Sequence, residues 1–167
     1  KGISLLGKQE TEYGLIADYN RLKQVLLNLL TNAIKYNQDA GTVTFGSVDR
    51  PDAIVRIYVS DTGYGISDEK LSELFTPFNR LGMEASEIEG TGIGLTISKR
   101  LVEQMGGKIG CDSELGQGST FWLDFPRSET VPQTASETPA DRSSDLETDL
   151  PVVPASMAGT ILYIEDN

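Results

Sequence analysis

The stretch Asn20-Arg-Leu-Lys-Gln-Val-Leu-Leu-Asn-Leu-Leu-Thr-Asn-Ala-Ile-Lys-Tyr-Asn37 decides how the rest of the chain is read. At about 100° per residue it is a helix, with Asn20 as the expected N-cap. Leu22, Leu26, Leu29, Leu30 and Ala33 fall on one side, the face a core would take. Asn28, Asn32 and Lys35 stand at i, i+4 and i+7, within about 60° of one another on the opposite side. Two carboxamides and an ammonium in a row suit a metal–phosphate group. A carboxamide oxygen can ligate Mg²⁺, whose other ligands are waters and substrate phosphates, and an ammonium one turn on can neutralise a phosphate oxygen. A solvated helix face fits the same residues, and this helix alone does not separate the two.

The glycines further along change that balance. Residues 61–118 hold eleven of the 17 in the chain. Asp61-Thr-Gly-Tyr-Gly-Ile66 follows an expected strand, and Gly90-Thr-Gly-Ile-Gly-Leu95 leads into an expected helix. Glycine at alternate positions lets backbone approach a ligand closely, and a glycine-rich turn opening a helix aims N–H groups at an anion. The pattern is not a P-loop, because no Gly-Lys-Ser/Thr follows. It is not the dinucleotide fingerprint either, since Leu95 stands where the third glycine belongs. One such run is often a pair of tight turns; two of them beside the Asn/Asn/Lys face point to a nucleotide.

Composition bounds the chemistry. The 167 residues include one cysteine and no histidine, which excludes a Ser-His-Asp triad, a Cys-His pair and a Cys/His zinc site. Cys111 cannot form an internal disulfide and reads as a small core residue. The net charge of −11 argues against nucleic-acid or anionic-membrane binding through bulk charge. No apolar run is long enough to span a bilayer and no signal peptide opens the chain, so the expected location is cytoplasmic. Residues 1–126 carry a net charge of −5, and residues 127–158 carry −4 in a quarter of that length. This second stretch is rich in Pro, Ser and Thr, has no aromatic residue and reads as an unstructured linker. Residues 159–167 end in a short β-type run closed by Glu165 and Asp166.

Within 1–126 the expected elements are mixed. Strands are read at 13–18, 42–48, 53–60, 108–113 and 119–125, and helices at 20–37, 68–75 and 91–105. Turns at 49–52 and 115–118 make two hairpins, and Gly106-Gly107 closes the last helix. Strands with helices segregated to one face give an α+β class, an α/β sandwich with a mostly antiparallel mixed sheet.

Five ordered motifs carry a family resemblance. Residues 24–37 resemble the N box of sensor histidine kinases, Asp61–Ile66 the G1 box, Phe75-Thr-Pro-Phe-Asn-Arg80 the F box, Gly90–Leu95 the G2 box, and Gly116-Gln-Gly-Ser-Thr-Phe121 the closing glycine motif. The order is the family's, and the match covers nearly all of 1–126. The resemblance is to the catalytic ATP-binding domain of two-component histidine kinases, of the Bergerat fold shared with gyrase, a heat-shock chaperone and a mismatch-repair ATPase.

The resemblance implies ATP and Mg²⁺ as cofactors and a role for each matching residue. Asn32 ligates the metal, with Asn28 beside metal and phosphates; Lys35 contacts phosphate, and Tyr36 packs on adenine or ribose. Asp61 accepts from the adenine amino group, Gly63 and Gly65 leave room for the base, and Ile66 closes that loop. Gly90, Thr91, Gly92, Ile93, Gly94 and Leu95 form the lid hinge and phosphate-binding backbone, and Thr120 lines the adenine pocket. Arg80 reaches the γ-phosphate, its bland alternative being a solvated arginine. Phe75 and Phe78 are either core anchors or the seat of the lid, which spans 81–89. Tyr64 is larger than the usual residue of the G1 box and shapes the pocket rim.

The implied reaction is transfer of the γ-phosphoryl group to a histidine on separate dimerisation helices, with Asn28, Lys35 and Arg80 as the catalytic set. Those helices and a receiver domain or response regulator are the implied partners. The parent would be cytoplasmic or the cytoplasmic part of a membrane-anchored sensor. The alternative is a regulatory module of the same fold that senses ATP without transfer. A serine kinase of the anti-sigma type or a chaperone-like ATPase fits the F box and tail less well. Residues 159–167 resemble the first strand of a receiver, with Glu165 and Asp166 as its acidic pair. Cut there, the strand is expected to bind no phosphate and either to stay unstructured or to pair on an exposed sheet edge.

Overall fold

The computed structural model of the chain describes residues 2–10, 14–79, 92–128 and 164–165. Among these, Arg80, Gly90, Thr91, the 81–89 segment, Asp166 and nearly all of the 127–158 stretch do not appear. The element order is β1 (Ser4–Glu10), β2 (Leu15–Ile16), α1 (Tyr19–Lys35), β3 (Thr42–Arg50), β4 (Ile54–Asp61), α2 (Asp68–Leu71), α3 (Gly94–Gln104), β5 (Lys108–Glu114), β6 (Gly118–Pro126) and β7 (Ile164–Glu165). Five strands form one sheet in the order β1-β3-β4-β6-β5; β1 runs parallel to β3 and the other pairs are antiparallel.

Strand periodicity builds the core. Val55, Ile57 and Val59 of β4 and Phe121, Leu123 and Phe125 of β6 alternate onto one face, where Leu22, Val25, Leu29 and Ala33 of α1 and Val102 of α3 meet them. Side chains of this size each contribute roughly 1.5–3 kcal/mol when fully buried. The opposite sheet face carries Arg56, Tyr58 and Ser60 beside Thr120, Trp122 and Asp124. There the Arg56 guanidinium holds Asp124 through two hydrogen bonds of 2.6 and 2.7 Å and lies 4.2 Å over the Trp122 ring.

Several expectations need correction. The N-cap of α1 is Asp18, whose carboxylate accepts from the Arg21 N–H at 2.9 Å; Asn20 is already inside the helix. Both residue types cap helices equally well, so type alone does not choose between them. β1 lies where sequence gives little strand signal, because Gly7, Lys8 and Gln9 interrupt the apolar residues of an edge strand. α2 is one turn long, and turns rather than helix lead on to Phe75. The hydrogen bonding also passes residue 126: the Arg127 N–H donates to the Ala53 carbonyl and the Ser128 N–H to that of Gly14. β7 pairs parallel with β2 in a separate two-stranded sheet, not on an edge of the main one.

Candidate functional site

Helix α1 organises the site because both glycine-rich segments touch it. At its C-terminal end the Tyr36 N–H donates to the Asn32 carbonyl at 2.9 Å, and the Tyr36 carbonyl accepts from the Tyr64 N–H at 3.3 Å. The Asp61–Ile66 turn is thereby fastened to the end of the helix. Two turns earlier, the Asn28 side chain reaches α3, its Nδ2 donating to Ser98 Oγ at 2.9 Å. A Cβ built at Gly94 would stand 2.5 Å from Asn28 Oδ1, so a side chain at the first residue of α3 would push the Asn28 carboxamide aside. The two contacts lie about 12 Å apart along the helix axis.

At one end of that span, Asp61 closes β4. It is buried, accepts from the Gly63 N–H at 2.8 Å and takes a further backbone N–H from Ser119. Burial raises its pKa above the ordinary carboxylate value, and those two N–H groups oppose the shift. Ile66 is held through its N–H to Ser113 Oγ at 2.8 Å, and Ser113 in turn bonds Ser119 and the Gly118 carbonyl.

At the other end, α3 begins with no side-chain cap at Ile93. The Ile97 N–H reaches back to the Ile93 carbonyl, so the N–H groups of Gly94, Leu95 and Thr96 lack helical carbonyl partners. Gly92 sits at φ +71° just before them, and its carbonyl accepts from the Phe78 N–H at 3.1 Å. The Leu95 side chain packs on the core. The Lys35 ammonium lies 5.5 Å from the centre of the Tyr36 ring. Phe75 packs against the core, whereas Phe78 is 77% exposed with a left-handed backbone, φ 62°. Of the two aromatics of the F-box motif, Phe75 is thus the core anchor and Phe78 is not.

Two predicted placements differ. Thr120 projects from the far face of the sheet, where its hydroxyl bonds Ser60 Oγ at 2.8 Å. Strand alternation puts Ser119, the residue opposite Asp61, on the site side instead. The room at Gly63 and Gly65 is filled by the protein itself. A side chain at Gly63 would meet the Tyr36 carbonyl and, at 2.7 Å, Asp61 Oδ1; one at Gly65, φ +67°, would meet the Glu114 carbonyl. Their bareness lets the turn pack against α1 and the β5–β6 hairpin.

Sequence reasoning gave no role to Asn37, Ser98 or Ser119. Asn37 is fully buried; its Nδ2 donates to the Thr42 carbonyl and its Oδ1 accepts from the Gln38 N–H and Thr62 Oγ1, tying the end of α1 to the Asp61 turn. Ser98 falls four residues after Gly94, a spacing that marks the inward face of α3. Cys111 packs against the core, and burial pushes its thiol up to about 12, as expected of an inert residue.

Among the described residues no cluster of three or more His, Cys, Asp or Glu could hold a metal unaided. The all-oxygen donors of Asn28 and Asn32 fit an Mg²⁺ that arrives on phosphates, not one held in a protein cage. No helix among the described residues is long and apolar enough to cross a membrane.

Comparison with known proteins identifies the family. Residues 17–129 match the family model described as Histidine kinase-, DNA gyrase B-, and HSP90-like ATPase. The chain is 48% identical over 112 residues to the adaptive-response sensory kinase SasA of Synechococcus elongatus, an alignment covering 67% of this chain and 29% of that protein. It thus spans under a third of that relative. Among solved structures it resembles full-length ShkA in complex with AMPPNP, with TM-score 0.66 and 33% identity over 78% of this chain and 27% of that one. The catalytic domain of histidine kinase ThkA matches with TM-score 0.63 and 32% identity, covering 75% of this chain and 80% of that domain. ThkA has also been solved in complex with the response regulator protein TrrA.

Proposed function

The chain belongs to the histidine kinase-, DNA gyrase B- and HSP90-like ATPase family, as an ATP-binding catalytic domain of the sensor histidine kinase type, and from that premise we propose that it binds Mg·ATP along α1 and donates the γ-phosphoryl group to a histidine outside this chain. The observation that carries the reading is the contact of Asn28 with Gly94 and Ser98. It sets the polar face of α1 against the start of α3, whose Gly94, Leu95 and Thr96 N–H groups have no helical carbonyl partner.

Adenine belongs at the Asp61 end, where the buried carboxylate accepts from its exocyclic amine and Ile66 and Ser119 border the base. Tyr36 packs beside base or ribose. Phosphates belong about 12 Å away, at the N–H groups of Gly94, Leu95 and Thr96, with Lys35 as counter-charge. Asn32 and Asn28 are the residues that would hold Mg²⁺. The chemistry the metal supplies when bound is neutralisation of charge gathered on the phosphates. The protein's own contribution is positioning and fixed dipoles, since phosphoryl transfer asks little covalent chemistry of it. Gly90, Thr91 and Gly92 complete the phosphate loop, and Arg80 reaches the γ-phosphate from the F box.

The acceptor lies elsewhere because the chain has no histidine. Its natural partners are histidine-bearing dimerisation helices and a receiver or response regulator. In this reading residues 127–158 would act as a linker, and residues 159–167, with Glu165 and Asp166, resemble the opening strand of the receiver of a hybrid kinase.

The test is to mix the chain with a histidine-bearing helix pair and γ-labelled Mg·ATP. Acid-labile, alkali-stable label on the helices is expected. Tight ATP binding with no phosphohistidine would replace this reading with that of an ATP-sensing module.

A further inference from the structure

We propose that Ser98 is a positioning residue for the metal–phosphate site: its hydroxyl holds the Asn28 carboxamide turned so that the oxygen, not the amide nitrogen, faces the start of α3. The inference rests on the reading of Asn28 as a neighbour of metal and phosphates, and goes beyond it by naming what sets that residue's orientation and which ligand form it selects.

A carboxamide has two chemically opposite ends of nearly the same shape. The oxygen accepts hydrogen bonds and ligates cations, whereas the nitrogen donates and suits anions. Half-buried Asn28 stands on the exposed edge of α1, and nothing in its own backbone chooses between the two orientations. Ser98 takes the nitrogen end here, its hydroxyl oxygen acting as acceptor, and the helix N-terminus beside the other end favours the oxygen there. Ser98 is 2% exposed, so its Oγ is shielded from water, and it receives Asn28 Nδ2 at 2.9 Å. With the nitrogen engaged, Oδ1 is the end left against Gly94, one turn back on α3. The position is electrostatically apt, because an uncapped helix N-terminus carries positive potential that favours an oxygen.

The orientation has a consequence for ligand choice. A triphosphate without metal brings its own negative oxygens towards Oδ1 and gains nothing from it. A triphosphate carrying Mg²⁺ presents a cation for which the same oxygen is a suitable donor. Ser98 therefore makes the site prefer metal-loaded nucleotide over free nucleotide without touching either. A serine that merely filled space between α1 and α3 would affect both forms alike.

Calorimetric titration of the full chain with ATP in excess Mg²⁺, and with ATP in EDTA, separates these cases. Ser98→Ala is expected to lower the ratio of Mg·ATP to free-ATP affinity by about three- to tenfold, the range of one hydrogen bond. Asn28→Ala should lower it at least as far, and the double variant no further than Asn28→Ala alone. A ratio that stays or rises in Ser98→Ala while falling in Asn28→Ala overturns the proposal and leaves the site reading intact. A ratio that moves in neither variant overturns both. Should Ser98→Ala not fold, NMR of the ligand-free wild type decides. The Asn28 side-chain amide, assigned by its loss in Asn28→Ala, should show one proton slowed in exchange with water. Free exchange of both protons overturns the proposal.

Discussion

Gly94→Ala sets two effects of similar size against each other and leaves a third exposed. The added Cβ would stand 2.5 Å from Asn28 Oδ1 and 3.2 Å from Cγ and Nδ2 of the same residue. Ordinary contact begins near 3.4 Å, so the oxygen has to withdraw by about 0.9 Å. Only side-chain atoms stand in the way, and the backbone of α1 need not move. Replacing glycine by alanine in a helix gains at most about 1 kcal/mol, and less at a first position. Swinging Asn28 away loses its bond to Ser98, about 0.5–1.5 kcal/mol. The net change in stability is thus within about 1 kcal/mol, a shift in melting temperature of a few degrees. Ligand binding has no such compensation. Losing one contact to the charged metal–phosphate group costs about 1.5–3 kcal/mol, so Mg·ATP affinity should fall at least tenfold. Thermal denaturation and calorimetry on the same preparation give both numbers. Unchanged affinity at unchanged stability would show that Asn28 and Gly94 do not border the phosphates. A stability loss beyond about 3 kcal/mol would refute the claim that a yielding side chain absorbs the clash.

Asp61→Asn should weaken ATP binding several-fold or more, because an amide NH₂ then faces either the adenine amine or the Gly63 and Ser119 N–H groups; nucleotide titration at fixed Mg²⁺ measures it. The same carboxylate gives the ligand-free domain a pH dependence. Its native pKa is raised by burial, so the folded state holds the proton more tightly, and this group's contribution is full below the ordinary carboxylate pKa and lost as pH rises through the raised native value. Urea unfolding of wild type and Asp61→Asn across that window should show the wild type losing stability relative to the variant as pH rises; a constant difference would remove Asp61 as the source. Asn32→Ala should flatten the dependence of ATP affinity on Mg²⁺ concentration, and a magnesium titration indistinguishable from wild type would take Asn32 out of the metal site.

Much of this arrangement was legible in the residues. The helical phase of Asn28, Asn32 and Lys35 and the two alternating glycine runs were enough to expect a phosphate-bearing ligand beside α1, and both runs do touch that helix. What escaped reading has local physical reasons. A strand whose side chains alternate turns a one-residue ambiguity into the wrong face of the sheet, and this separates Thr120 from Ser119. Glycine spacing signals a close approach but not what approaches, so the atoms packed against Gly63 and Gly65 prove to be the chain's own carbonyls and carboxylate. The Asn37–Thr62 and Asn28–Ser98 bonds join residues 25 and 70 positions apart, about 80 Å or more of extended chain, that no periodicity relates. β1 is polar and glycine-broken because an edge strand has only one neighbour to satisfy.

The far face of the sheet has a practical consequence. The chain's single tryptophan lies there, clasped by Arg56, with a full thickness of sheet between it and the proposed nucleotide site. Its fluorescence should therefore stay silent when ATP binds and change sharply when the strands separate. The protein thus carries a built-in reporter of folding that occupancy does not contaminate, and ligand effects on stability can be followed by emission alone.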